Sequence, residues 1–181
     1  QVPTGSTFYI ASAYGSAKTV TIVTNATEAV VTAVAHGFSN GDVVEMTSGW
    51  GRLNKRHFEI ESVLTDSFVL SGEDTTNTTF YPVGTGIGSV RKATTFTQIT
   101  SVMNPQSSGG DPKTVTYKFV ESDVEYSIND GFGATSYTME LDADALGSAG
   151  YTALKSLTQV QTDTCLKVVT RSGSRVYQPC T

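Results

Sequence analysis

Glu121, Asp123, Glu125, Asp130, Glu140, Asp142 and Asp144 place seven carboxylates between positions 121 and 144, with no Lys or Arg among them. Such a run offers three kinds of chemistry. Paired acids, Glu121 with Asp123 or Glu140 with Asp142, supply the acid and base of a hydrolase, but they need a groove and a positioned substrate, and the sequence marks neither. Spaced carboxylates supply oxygens to Ca²⁺ or Mg²⁺, yet neither Glu121-x-Asp123-x-Glu125 nor Asp142-x-Asp144 continues as an EF-hand loop. The third option is a structural surface that repels polyanions, and it fits a strand-borne run of one sign best. A solvated acidic loop on an acidic protein is the plain alternative.

The rest of the chain is poor in reactive groups. His36 and His57, the only histidines, have no Cys, His or carboxylate at ligand spacing, so no metal site is expected. His36, before Gly37-Phe38, reads as a cap on backbone groups at a turn. No Ser lies in Gly-x-Ser-x-Gly and no Ser/His/Asp or Cys/His set stands out, so no catalytic residue and no cofactor is expected. Gly84-Thr85-Gly86-Ile87-Gly88 lacks the spacing and the following helix of a phosphate loop and reads as a flexible return loop. Trp50, between Gly49 and Gly51, reads either as a hydrophobic plug or, with Arg52, Lys55 and Arg56, as part of an exposed loop tip. Cys165 and Cys180 flank a turn at Ser172-Gly173, and a two-residue loop would set them opposite each other. That would be a hydrogen-bonded position with Cα atoms about 5.5 Å apart, in a chain with no sign of an oxidising compartment, so a disulfide is not favoured.

The elements that must position these groups are mostly strands. With 181 residues, 38% hydrophobic and 16% charged, the chain suffices for one domain, or a small domain carrying an inserted module, and its Thr, Ser and Gly content favours β structure. A net charge of −5 argues against a surface that grips nucleic acid. No apolar run reaches the roughly 18 residues of a membrane span, and Gln1-Val2-Pro3-Thr4-Gly5 has no export-signal character, so a soluble protein is expected. Strands are predicted at 7–13, then five short ones over 20–23, 29–34, 43–46, 57–63 and 68–70, with a Thr- and Gly-rich loop at 74–88. After Arg91-Lys92 come longer strands at 95–103 and 114–120, separated by a loop at 104–112. The apolar phase changes from odd positions (Val115, Tyr117, Phe119) to even ones (Val124, Tyr126, Ile128), which predicts a turn at 121–123. A further turn at 130–133 leads to a strand at 135–141. There Thr135, Tyr137, Met139 and Leu141 pack, while Ser136, Thr138, Glu140 and Asp142 face solvent. Ser148 caps a helix over 149–158 with Leu154, Leu157, Tyr151 and Val160 on its buried stripe, and a hairpin of 164–170 with 175–178 follows.

This order resembles the major tail tube protein of long, non-contractile-tailed bacteriophages. The likeness rests on the strand at Ser6-Thr7-Phe8-Tyr9-Ile10, the strand at Thr94-Thr95-Phe96-Thr97-Gln98-Ile99, the acidic loop, the run from Asp142 through Ser148 to Leu154, and the hairpin from Leu166 to Gln178. It covers 1–17 and 92–181. The intervening 18–91, with Ala35-His36-Gly37-Phe38-Ser39-Asn40-Gly41-Asp42 and Asn54-Lys55-Arg56-His57-Phe58, is similar to a small β-barrel module of phage structural proteins and would be an insertion. The resemblance implies a β-sandwich or barrel subunit with one helix, assembling into stacked hexameric rings that form a negatively lined channel for DNA. It further implies strands beyond the position of Thr181.

On this reading the protein is structural and not an enzyme. Its partners are its own copies, other tail proteins such as the tape measure and terminator, and DNA in passage without specific binding. It has no membrane partner, and its place is the virion tail after assembly in the host cytoplasm. Glu121, Glu125, Glu140 and Asp142 are the expected channel-lining residues. Gln106, Ser107, Ser108, Gly109, Gly110 and Asp123 are the expected contacts between rings. Trp50, Arg52, Lys55 and Arg56 are the expected exposed module surface. The alternative is a β-rich adhesin or carbohydrate-binding module using Trp50 and neighbouring tyrosines.

Overall fold

The computed structural model describes residues 4–181; residues 1–3, which open the first predicted tube segment, lie outside the described residues. Strands hold 46% of the chain and helices 10%, the β class that the composition implies. In chain order the strands are β1 (Thr7–Tyr14), β2 (Lys18–Val20), β3 (Ile22–Val23), β4 (Val30–Thr32), β5 (Val43–Ser48), β6 (Arg56–Glu61), β7 (Ser67–Leu70), β8 (Gly88–Ile99), β9 (Val102–Ser108), β10 (Pro112–Tyr117), β11 (Tyr126–Phe132), β12 (Ser136–Leu141), β13 (Thr164–Val169) and β14 (Arg175–Cys180). Helix α1 spans Ala149–Val160, just after a 3₁₀ turn at Ala143–Gly147. One antiparallel sheet runs β14-β13-β1-β8-β5-β6-β7-β4-β3 with β2 also on β8, while β9 pairs β12 and β10 pairs β11.

Two main cores hang on this sheet. Val20, Val31, Val44, Met46, Trp50, Leu53, Phe58, Ile60, Phe68, Leu70 and Val90 form the first, all from β2 to the start of β8. Alternation produces it: in β7, Phe68 and Leu70 are buried while Ser67 and Val69 are half-exposed. The second is built from Phe8, Ile10, Ile99, Leu166 and Val168, covered by Tyr137, Met139 and Leu141 of β12 and by Ala153, Leu154 and Leu157 of α1. The predicted alternation holds within β12, with Tyr137, Met139 and Leu141 turned inward and Ser136, Thr138 and Glu140 exposed, whereas Thr135, expected to pack, lies before the strand and is exposed. Ser148 caps α1 as expected, its Oγ accepting from Tyr151 N at 3.2 Å. Gly150 is needed at the contact with β8, since a Cβ there would meet Gln98 O at 2.3 Å. Val160 stays 69% exposed rather than joining the buried stripe.

Several boundaries differ from expectation. Arg91 and Lys92 are interior to β8, a single strand that pairs with β2 and β5 through its first half and with β1 through its second. They are partners of buried or half-buried acids: Arg91 Nε donates to Glu45, which is 2% exposed, and Lys92 Nζ reaches Asp42 at 2.8 Å. The expected loop at 104–112 is mostly strand. Gln106, Ser107 and Ser108 pair with Thr138, Tyr137 and Ser136, leaving only Gly109 to Asp111 outside the strands. Pro105 is tolerated because it sits where the β9–β12 register shifts. The last hairpin is also one step off the expected register. Thr164 faces Cys180 and Cys165 faces Pro179, so the two thiols point to opposite faces and remain free. The loop carries Gly173 at φ +88°, and the bonds Thr170 N to Ser174 O and Gly173 N to Thr170 O make it a three-residue connection.

The return loop between β7 and β8 is pinned instead of free. Trp50 Nε1 donates to Pro82 O at 2.8 Å and Thr85 Oγ1 at 3.0 Å, Ser48 Oγ donates to Gly86 O at 2.8 Å, and the fully buried Thr75 Oγ1 donates to Thr24 O at 2.7 Å. Trp50 is 1% exposed, so it belongs to the core and not to an exposed tip. Gly86 lies against its ring, where a Cβ would approach Cε2 to 2.9 Å. Arg52, Lys55 and Arg56 do stay exposed, Arg52 over the Phe80 ring at 3.7 Å and Arg56 within 3.5 Å of Glu73.

Candidate assembly surface

β9, β10, β11 and β12 make one long, kinked ribbon that leaves the body as an arm. Its two halves break at 109–111 on one side and 133–135 on the other. Gly109 and Gly110 have φ +89° and +78°, a left-handed pair that other residues adopt only under strain, and a Cβ on Gly109 would come to 2.0 Å of Ala134 O. Gly133 N donates across the kink to Asp111 O at 2.8 Å, and the Ser108 and Ser136 hydroxyls bond at 2.7 Å just before it.

Beyond the kink every residue of β10 and β11 is exposed. The register Val115↔Ile128 and Tyr117↔Tyr126 puts these four on one face. Tyr117 and Tyr126 stack at 5.6 Å between ring centroids, and Phe119 lies edge-on to Tyr117 at 5.4 Å. The result is an aromatic and aliphatic face that nothing in the chain covers, although such apolar alternation in sequence ordinarily marks a buried face. The signal for an exposed arm was its flanking context: acids at the turn, glycines at the kink. The predicted turn at 121–123 becomes a longer connection, 118–125, with Ser122 N bonded to Phe119 O.

The ribbon separates the predicted channel residues. Glu121 and Glu125 lie in the tip, with Asp123 between them, while Glu140 lies near the body and its Oε2 accepts from Asn104 Nδ2 at 3.1 Å. From Met103↔Glu140 to Tyr117↔Tyr126 the β9–β10 side advances fourteen residues, 103 to 117, about 46 Å of contour at roughly 3.3 Å per residue. Asp142 ends β12 as a cap, Oδ1 accepting from Asp144 N at 3.1 Å. Glu121, Glu125, Glu140 and Asp142 are all exposed. Of the predicted ring contacts, Gln106, Ser107 and Ser108 sit on the proximal ribbon, Gly109 and Gly110 form the kink, and Asp123 is at the tip.

Where the arm meets the body, a groove of about 800 Å³ opens between β12, β14, α1 and the start of β6. Its wall includes Ile10, Tyr137, Met139, Leu154, Leu166 and Cys180. At one end stand Lys55, 3.6 Å from Asp163 and 3.8 Å from Glu45, and Arg56. Behind it, the sheet curls until β14 approaches β6, and side chains close the gap: Glu59 accepts from Arg175 Nη1 and from Tyr177 OH, the latter at 2.9 Å. Burial and that carboxylate push the Tyr177 phenol up.

His57 lies inside this curl, its Nε2 2.8 Å from Tyr14 OH and its buried Nδ1 without a partner. Burial lowers its pKa to about 4, and burial likewise pushes the Cys165 thiol up to about 12. Near neutral pH the imidazole is therefore neutral and the thiol protonated. His36 accepts from Phe38 N through Nδ1 at 3.0 Å, the turn-capping role its position implies. Among the described residues no three His, Cys, Asp or Glu side chains converge on a metal position. No helix among them is long and apolar enough to cross a membrane.

A family model described as phage tail tube protein, TTP, matches residues 48–181. The match begins at the end of β5, inside the segment predicted as an insertion, and runs through the arm, α1 and the last hairpin. No curated protein and no solved structure matches the chain.

Proposed function

The chain belongs to the phage tail tube protein family, and from that premise we propose that it self-assembles into stacked hexameric rings whose bore conducts DNA. Membership makes it a structural protein of the virion tail and not an enzyme. The observation that carries the finer reading is the arm: a ribbon with an uncovered aromatic face and a tip bearing three exposed acids. A two-stranded ribbon is marginal in water by itself, so this one calls for cover from another chain.

The electrostatics suit a conduit. A polyanion slides past a wall without Lys or Arg, because binding to phosphate draws its strength from those cations, and six copies at −5 carry −30 per ring. Glu140 and Asp142, near the body, are the channel-wall candidates. Glu121, Glu125 and Asp123, on the arm tip, serve as rim or ring-to-ring groups, together with the kink at Gly109 and Gly110. Other tail proteins such as the tape measure and terminator would meet the same rings, with assembly in the host cytoplasm.

We assign 18–91 to a decoration on the outside of the tube. Its support is that Lys18 pairs with Val90, so both ends leave from one place, and that the first core draws only on this segment. The adhesin alternative loses its contact residue with the burial of Trp50.

Electron microscopy of the purified protein is the test. Rings or tubes with a central hole are expected, and monomers at every concentration would refute the assembly reading. Exchange of 18–90 for a short Gly/Ser linker should keep the inner diameter and shrink the outer one. A shortened chain that stays monomeric would move the segment into the assembly interface.

A further inference from the structure

We infer that the apolar face of the β10–β11 arm of one copy lies in the groove between β12 and β14 of a second copy, an arm-in-groove contact that rests on the self-assembly reading. The arm and the groove are complementary in three respects. The first is apolar area: Val115, Tyr117, Phe119, Tyr126 and Ile128 are each 38–57% exposed and share the arm's face or its margin. The groove presents the partly exposed Tyr137, Met139 and Leu154, with the buried Ile10 and Leu166 at its floor. The second is main-chain pairing. Among the described residues β14 ladders only with β13 and β12 only with β9, and the groove is lined by Ser136, Tyr137 and Met139 of β12 and by Gln178 to Cys180 of β14, beyond the Arg175 and Tyr177 contacts that close β14 on β6. An extended segment laid between them gains ladder bonds as an added strand. The third is charge: the arm tip carries Glu121, Asp123 and Glu125 against a single cation, Lys118. At the groove's end the exposed Lys55 and Arg56 outnumber the exposed Asp163 by one, the buried Glu45 being paired with Arg91, which is not part of the groove wall.

The occupant is a second copy, because a chain cannot fill its own groove this way. The arm leaves the body at the kink, with Thr135 and Ser136 already on the groove wall, and its strands then run from Pro112 to Tyr117 and back from Tyr126 to Phe132. The tip therefore lies on the order of 20–30 Å from the chain's own groove at roughly 3.3 Å per residue. An arm that fits a groove elsewhere on an identical molecule is a head-to-tail contact, and such contacts propagate into closed rings or open helical stacks.

Native Cys180 on the groove wall makes the test direct. In full-length protein, Val115→Cys and, separately, the fully exposed Val120→Cys are assembled and treated with a mild oxidant. A ladder of disulfide-linked multimers is expected from at least one of them, abolished by Cys180→Ser; Cys165, wholly buried, does not contribute. Arg56→Glu should raise the concentration needed for assembly about tenfold, and adding Glu125→Lys in the same chain should restore it. Particles that form without a Cys180-dependent ladder overturn the arm-in-groove contact and leave self-assembly standing. Wild-type protein that never forms particles overturns both. Normal assembly of the Arg56→Glu chain, or loss that Glu125→Lys does not repair, removes the charged end from the contact.

Discussion

Replacing His57 by Gln should flatten the acid dependence of stability by an amount that the burial of this ring sets. His57 is a buried residue of β6 whose ring meets Tyr14, and burial lowers its pKa to about 4 against an ordinary 6.5. Between those values the unfolded chain binds a proton that the folded chain refuses, so stability falls as pH drops through that window and is fully present above it. A gap of roughly 2.5 units at 1.36 kcal/mol each gives about 3 kcal/mol lost by pH 4. Burial is the largest influence on the ring, and neighbouring Glu45, which raises the pKa, and Arg91, which lowers it, act against each other. Gln keeps a polar partner for Tyr14 and cannot titrate. Urea denaturation of wild type and His57→Gln at pH 7, 5.5 and 4.5 is the assay, with carboxylate effects common to both chains cancelling in the difference. The wild type should lose stability faster on acidification. Parallel curves for the two proteins would refute the argument.

Trp50→Ala should cost about 3–5 kcal/mol by emptying the first core, read as a fall in denaturation midpoint; an effect below 1 kcal/mol would put the ring back on the surface. Gly109→Ala should leave the body's stability within about 0.5 kcal/mol but impair assembly, since only the kink is strained; unchanged particle yield would show that the kink is dispensable. Glu140→Lys with Asp142→Lys should give particles that eject DNA slowly or not at all, with about 1 kcal/mol lost from the Asp142 cap; wild-type ejection kinetics would take both residues out of the channel.

The sequence was legible where one face of an element is buried and the other wet. β7, β12 and the Ser148 cap follow from alternation and residue type alone, because burial acts on those features directly. It was misleading where a polar residue is buried by pairing. Arg91 and Lys92 looked like a boundary, since nothing local reveals that Glu45 and Asp42 lie opposite them on β5 and in the turn before it. Trp50 could be read as a core plug or as a loop-tip residue, and the sequence did not decide between them because its lid, Tyr81 to Gly86, comes from thirty residues downstream. The β13–β14 register slipped by one because Gly173 permits a three-residue connection as readily as a two-residue one. The arm's apolar face was visible as a pattern, but alternation reports that a face is covered and not by which molecule.

β8 has a consequence for how the subunit bears force. One core hangs on its first half through β5 and the other on its second half through β1. A pull that tries to part the two halves of the subunit along this direction therefore runs through the covalent backbone at Lys92–Ala93 and loads the flanking ladders lengthwise. Many hydrogen bonds then share the tension at once instead of opening one after another, which makes the joint between the cores a tendon and not a hinge.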